Sequence, residues 1–297
     1  MKEQKASFTA EVMVIYRAME LMLPPAQRVC FDHLALHFLN FYFRIIATSG
    51  LLTKVFYWFF IERRGFVGAR GHIVTRTRFI DDFLKECIDD GITQLVIIGA
   101  GIDTRAYRFD ELKDKVKIFE VDHPASQKKK KERVKKVFGS LPEHVVYVAV
   151  DFLKENLRKK LTENGYNPEV KTLFIWEGVT YYLTREAVDE TLAFISKNSG
   201  AGSSVIFDYI LSSVVDGTCD LEGAGLCADY FRSIGEPWFF GIDDNKVDEW
   251  LFNRGFCEVT NIKGKDAENS YFKSIGRDTK VWEWIRFVHA KVIPRQA

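Results

Sequence analysis

Hydrophobic positions along this chain change their period twice. Residues 1 to about 70 carry helical spacing: apolar positions in 10–23 recur every three to four residues until Pro24 and Pro25 end the run, and 32–43 reads as a second helix. Gly65, Gly68 and Gly71 break the pattern before a further helix at about 74–89, which Gly91 stops. Short apolar runs then alternate with charged, amphipathic segments. Strands are predicted at 95–98, 117–121, 145–150, 172–176 and 203–208, and helices near 124–137, 154–163 and 185–196. This rhythm implies a doubly wound, mostly parallel α/β sheet, because parallel strands need crossovers that lay helices on its faces.

The last third reads differently. Residues 209–242 are Gly-rich and irregular, 246–253 is a short helix, and strands at 256–262 and 284–292 are joined by a long segment. Such a pair forms an antiparallel edge and completes a seven-stranded, Rossmann-like sheet. The expected organisation is an N-terminal helical cap or substrate lid over 1–72 and a cofactor-binding domain over 73–297. A lid insertion is expected at about 209–242.

Residues 38–61, FLNFYFRIIATSGLLTKVFYWFFI, are strongly apolar, but Arg44 and Lys54 interrupt them, so no run is long enough for a membrane span. A buried helical hairpin, a cover over a greasy substrate pocket, and a helix lying in a membrane surface all fit. The formal charge of +1 gives no reason to expect a nucleic-acid partner. The five cysteines are odd in number and widely spaced, which points away from a disulfide framework and towards a reducing cytoplasm, with peripheral membrane contact through 38–61 as an option. The run from Lys128 to Lys131, with Arg133, Lys135 and Lys136, reads as a solvated helix face.

Candidate chemistry gathers at the strand tips. In LVIIGAGIDTRAYRF, residues 95–109, a strand runs into Gly99 and Gly101, which allow a sharp turn and close approach of a ligand. Arg105 and Ala106 stand where a dinucleotide fingerprint would continue, which disfavours a nicotinamide dehydrogenase. Asp122, about twenty residues on, ends the second strand in FEVDHP, where a carboxylate accepts ribose hydroxyls or caps a helix. Asp151 and Phe152 end the third strand, placed for an adenine ring, although Asp151 also suits a helix N-cap. Glu177 ends the fourth in IWEGVTYYL. Upstream, GHIVTRTRFIDDFL offers Arg76 and Arg78, one to clamp a carboxylate with two prongs and the other to pair with Asp81 or Asp82.

Taken together, these motifs resemble the leucine carboxyl methyltransferase-like branch of the class I S-adenosylmethionine-dependent methyltransferases. The resemblance runs from FTAEVMVIYRAME near the start, through RTRFIDDFL, IIGAGIDTRAYR, FEVDHP and WEGVTYYL, to GEPWFFGIDDNKVDEWLFNRGF. It implies S-adenosyl-L-methionine as cofactor, with Arg76 on its carboxylate and Gly99 and Gly101 in its loop. Asp122 would hold its ribose, and Asp151 with Phe152 its adenine. Glu177 would face the methionine end and Tyr181 the substrate side, so both are expected at the reacting centre. The expected reaction is O-methylation of a carboxylate or hydroxyl on a small hydrophobic molecule. The alternatives are a protein C-terminal carboxylate as acceptor, or a cofactor-binding protein without turnover. None of the six histidines has metal-ligand spacing with a carboxylate, so a metal-free enzyme is expected.

Overall fold

The computed structural model describes residues 3–60, 66–152 and 154–294; Ile61 and the side chains of Phe59 and Phe60, part of the apolar stretch, lie outside the described residues. The chain opens with helices α1 (Glu3–Leu21), α2 (Ala35–Phe38), α3 (Phe41–Thr48), α4 (Gly50–Phe60) and α5 (Ala69–Asp89). The expected single helix over 32–43 is therefore two. Leu39 is extended, and the Asn40 side chain accepts from the Phe43 N–H, capping a new helix. Helix α5 begins five residues before the expected start, because Gly71 does not break it. A Cβ at Gly71 would lie 2.0 Å from the Lys280 carbonyl, so glycine there permits close helix–backbone packing.

The alternating region supplies β1 (Gln94–Ile98), α6 (Arg105–Arg108), β2 (Lys117–Asp122), α7 (Pro124–Phe138), β3 (Val145–Ala149), α8 (Leu157–Glu163), β4 (Thr172–Trp176), α9 (Arg185–Lys197) and β5 (Ser204–Ile210). Helix α7 shows why the boundaries were readable. Proline occupies its first turn, His123 caps it, Gln127, Lys130 and Val134 face inward at helical spacing, and Gly139 stops it with φ +81°.

Beyond β5 come α10 (Ser212–Val215), α11 (Ala224–Ser233), α12 (Val247–Phe252), β6 (Phe256–Ile262), α13 (Gly264–Ala267) and β7 (Ile285–Val292). Helix α11 lies inside the stretch expected to be irregular. Gly223 caps it from a left-handed conformation and Gly225 sits within it, so glycines disguised a helical pattern.

The strands form one seven-stranded sheet ordered β3-β2-β1-β4-β5-β7-β6, parallel except for β7, which pairs antiparallel with both β5 and β6. Alternate residues of each strand feed two cores. Leu95, Ile97, Leu173 and Ile175 join one shared with α1, α2 and α5, whereas Val96, Ile98, Phe174 and Trp176 join the other beside α9. Strand order reverses between β1 and β4, and the crevice beyond their carboxyl ends is where open α/β sheets hold ligands.

Candidate active site

Gly99 leaves β1 with φ +70° and Gly101 follows with φ +41°. The two glycines serve different needs. A Cβ on Gly99 would lie 2.4 Å from Val179 Cγ2 in the segment after β4, so the loop is packed there. A Cβ on Gly101 would meet nothing nearer than the Gly99 carbonyl at 3.7 Å, which leaves open space beside the loop.

Asp122, at the tip of β2, fixes that loop. Its Oδ2 accepts from the Gly101 N–H at 2.6 Å and its Oδ1 from the His123 N–H at 2.7 Å. Burial pushes its carboxyl up, and these two backbone donors pull it back. Each oxygen keeps a second acceptor position for a ligand hydroxyl. Beneath it, Lys130 is an exception to the expected solvated face. It is buried, with Nζ 2.7 Å from Glu120 and 3.2 Å from the Ala100 carbonyl, and so ties helix α7 to the glycine loop.

The tip of β4 carries a network of buried charges. Glu177 Oε1 lies 2.9 Å from Arg76 Nε, and its Oε2 accepts from Arg105 Nη1 at 2.6 Å. Arg76 also donates through Nη1 to Asp208 on β5 at 2.7 Å, and the second oxygen of Asp208 accepts from the Gly178 N–H at 2.6 Å. Two of the three guanidinium nitrogens of Arg76 thus face protein carboxylates. Burial alone would raise the Glu177 carboxyl, but Arg105 and Arg76 hold it well below the ordinary carboxylate range. Arg78 turns outward and pairs with Asp82 one helical turn away at 2.7 Å.

The structure brings Arg76, Glu177 and Tyr181 together around Gly178, and Gly99, Gly101 and Asp122 one strand away. Tyr181 is buried against Arg76, and burial followed by the Asp208 charge holds its hydroxyl proton well above the usual range. Its ring meets Trp238 at 5.8 Å, and its carbonyl accepts from the Phe239 N–H. Trp238 continues to Phe231 at 4.9 Å and Trp284 at 5.4 Å, forming an aromatic wall beside the site. Phe240 packs instead into the opposite core, against Trp250. Asp151 pairs with Lys154 at 3.1 Å, and its N–H donates to Glu155; it does not cap α8, a role taken by Asn156. Phe152 packs against the core on the α9 side of the sheet.

Sequence reasoning missed Arg105, Asp208 and His72. Arg105 is fully buried between Asp81, Asp103 and Glu177, and its Nη2 has no hydrogen-bond partner among the described residues. The signal was an arginine just after Thr104, which stands at the third glycine position of the dinucleotide fingerprint, and it was read only as a departure. His72, one turn before Arg76, stacks between Trp282 and Phe287, and neither ring nitrogen has a hydrogen-bond partner among the described residues.

These features fit S-adenosylmethionine. Asp122 has acceptor capacity left for ribose hydroxyls, open space lies beside Gly101, and Arg105 Nη2 is a buried donor without an acceptor. The sheet order with these strand-tip residues defines a class I S-adenosylmethionine-dependent methyltransferase. The leucine carboxyl methyltransferase family model matches residues 10–196, and the chain belongs to that family.

Among relatives, a provisionally named S-adenosyl-L-methionine-dependent methyltransferase, YktD of Bacillus subtilis, is 28% identical over 217 residues, covering 73% of this chain and 71% of the relative. A Streptomyces avermitilis protein of the same provisional name, SAV474, is 39% identical over 131 residues, covering 44% of this chain and 46% of its own length. Two solved structures share the fold. One, from Bordetella parapertussis, is described as a possible exported protein; it has a TM-score of 0.53 at 14% identity and covers 99% of both chains. The other is a DUF574 family protein from Streptomyces avermitilis, with a TM-score of 0.50 at 12% identity over 75% of this chain and 84% of that one.

Proposed function

We propose that this chain transfers a methyl group from S-adenosylmethionine to a carboxylate oxygen, forming a methyl ester. One observation carries the reading. Neither residue expected at the reacting centre is free to act as a base: both oxygens of Glu177 are held by arginines, and the Tyr181 hydroxyl keeps its proton. An acceptor hydroxyl would gain from proton removal, whereas a carboxylate arrives as the nucleophile. The cofactor, when bound, supplies an electrophilic methyl on its sulfonium. Asp122 and the glycine loop would position its nucleoside. The arginine–carboxylate network would hold Tyr181 and Glu177 rigid, so the protein contributes orientation more than proton transfer.

The family model's description, leucine carboxyl methyltransferase, supports the C-terminal carboxylate of a protein or peptide as the acceptor. A small hydrophobic carboxylate is the second reading. It is favoured by the Tyr181–Trp238–Phe231 wall and by a cavity of about 640 Å³ between α4 and the start of α5, where Met19, Trp58 and Val67 meet Lys54, Arg70 and Lys280. The test is labelled methyl transfer into cell extract. Carboxyl methylation predicts label that mild alkali releases as methanol, and fractionation into protein, lipid and small molecules separates the two acceptors. Label that resists alkali would overturn the carboxylate reading.

A further inference from the structure

The α3–α4 hairpin presents an apolar surface that the protein does not cover. Phe41, Tyr42, Leu51, Val55 and Trp58 are each more than half exposed. Of the fourteen exposed large hydrophobics among the described residues, seven lie on these two helices. On α4 the exposed positions 51, 55 and 58 recur at helical spacing and form one stripe, while Phe56 turns inward. A lid over a pocket would bury such side chains; Phe41, Tyr42, Leu51 and Val55 stay exposed, while Trp58 also lines the cavity between α4 and α5.

Charge identifies what the surface meets. No acidic residue occurs from 33 to 61, whereas Arg44 and Lys54 are exposed within the hairpin. The basic helix α7 adjoins its root: Arg133 donates to the Phe38 carbonyl at 2.8 Å and pairs with Glu11 of α1. Lys128, Lys129, Lys135 and Lys136 of α7 remain exposed, as does Phe138 at its end. With a whole-chain charge of only +1, the cations of the hairpin and of α7 are a local concentration, and the two elements meet where Arg133 reaches Phe38. Two copies meeting through the face would bring Arg44 and Lys54 against their own kind. Helices of 8 and 11 residues are too short to cross a bilayer, and among the described residues no helix is long and apolar enough to do so.

We infer that the α3–α4 hairpin, flanked by the lysines of α7, docks this protein on the surface of an anionic lipid bilayer. The apolar stripe enters the headgroup–acyl boundary and the lysines meet the lipid phosphates. Docking requires neither cofactor nor acceptor, so its test stands apart from the methyl-transfer assay. The experiment is co-sedimentation of the full chain with vesicles of phosphatidylcholine alone and of phosphatidylcholine mixed with phosphatidylglycerol.

The expected result is binding to the mixed vesicles only, weakened by salt. Two variants should each weaken it about tenfold or more: L51E/V55E, which charges the stripe, and K128E/K129E, which reverses the adjoining lysines. All four positions are exposed, and unchanged circular dichroism verifies folding. Absence of binding to mixed vesicles overturns the inference, as does equal binding by wild type and both variants. A concentration-dependent dimer lost in L51E/V55E, without vesicle binding, would assign the face to a second copy and overturn it equally.

Discussion

Arg105 Nη1 and Glu177 Oε2 meet at 2.6 Å between segments 72 positions apart in the chain. The contact joins the first residue of α6 to the tip of β4, across the point where strand order reverses. Through Arg76 on the other oxygen of Glu177, it continues to Asp208 on β5. Removing one member of a buried ion pair leaves the others charged and unpaired, at a cost of about 3–5 kcal/mol. Glu177→Gln takes one carboxylate from both arginines while Asp208 still pairs with Arg76, and Asp81 and Asp103 with Arg105, so the loss in urea titration should be smaller, about 1–3 kcal/mol. A loss under about 1 kcal/mol would mean that solvent or a rearranged partner compensates the arginines.

Asp122→Ala separates binding from folding. The side chain holds the Gly101 and His123 amides from the rim of the crevice, away from the charge network. Losing charge-assisted hydrogen bonds to the ribose should cost about 1.5–3 kcal/mol, or roughly 10- to 150-fold in cofactor affinity. Calorimetric titration of the folded variant with S-adenosylmethionine checks this. Unchanged affinity would remove Asp122 from the site.

The two glycines of the loop should fail in different ways. Gly99→Ala puts a methyl 2.4 Å from Val179 Cγ2 at φ +70°, so its main effect should be on thermal stability. Val179→Ala in the same chain should recover part of the loss. Gly101→Ala meets only the Gly99 carbonyl, at an ordinary contact distance of 3.7 Å, and carries the left-handed backbone cost of about 1–3 kcal/mol, so it should fold yet bind cofactor weakly. Equal binding by Gly101→Ala and wild type would show that the space beside the loop is not the cofactor's.

Most of the scaffold was legible because its signals are local. The strand predicted at 172–176 coincides with β4, and α7 carries its own proline, cap and glycine stop. Strand-tip residues were legible for the same reason: a polar residue after four or five apolar ones announces a sheet edge. What stayed hidden depends on partners distant in sequence. Asp208 looks like the end of a strand until Arg76, 132 positions away, is placed on it. Lys130 looks like one more lysine in a basic run until Glu120 is found beneath it. Arg105, just past the broken glycine pattern, gave no sign of the three carboxylates around it.

His72 supplies a pH-dependent prediction. Its ring lies 5.0 Å from Phe287 and 5.3 Å from Trp282, nearly parallel to both. Burial, reinforced by the Arg76 charge and only partly offset by Glu177, holds its pKa well below the ordinary 6.5. The unfolded chain takes up a proton there near the ordinary value, whereas the folded chain refuses it until much lower pH. Below that value the unfolded state therefore binds more protons, and stability falls as the solution is acidified. Above it the contribution is flat. The slope for one such group is about 1.4 kcal/mol per pH unit. Glu177 adds its own acid sensitivity only below the ordinary glutamate value of 4.5, whereas Glu120, Asp122 and Asp208, raised by burial, act in the opposite sense above their ordinary values, so it is the difference between wild type and a His72 variant that reports on the histidine. His289, lowered to about 4 by burial and Lys291, contributes in the same direction. His72→Phe keeps a stacking ring and removes the titrating group, so its stability should decline less steeply than wild type as pH falls from 6.5 towards 4.5. Urea midpoints measured across that interval check the difference in slope, and parallel curves for the two proteins would mean that His72 is not held neutral by the fold.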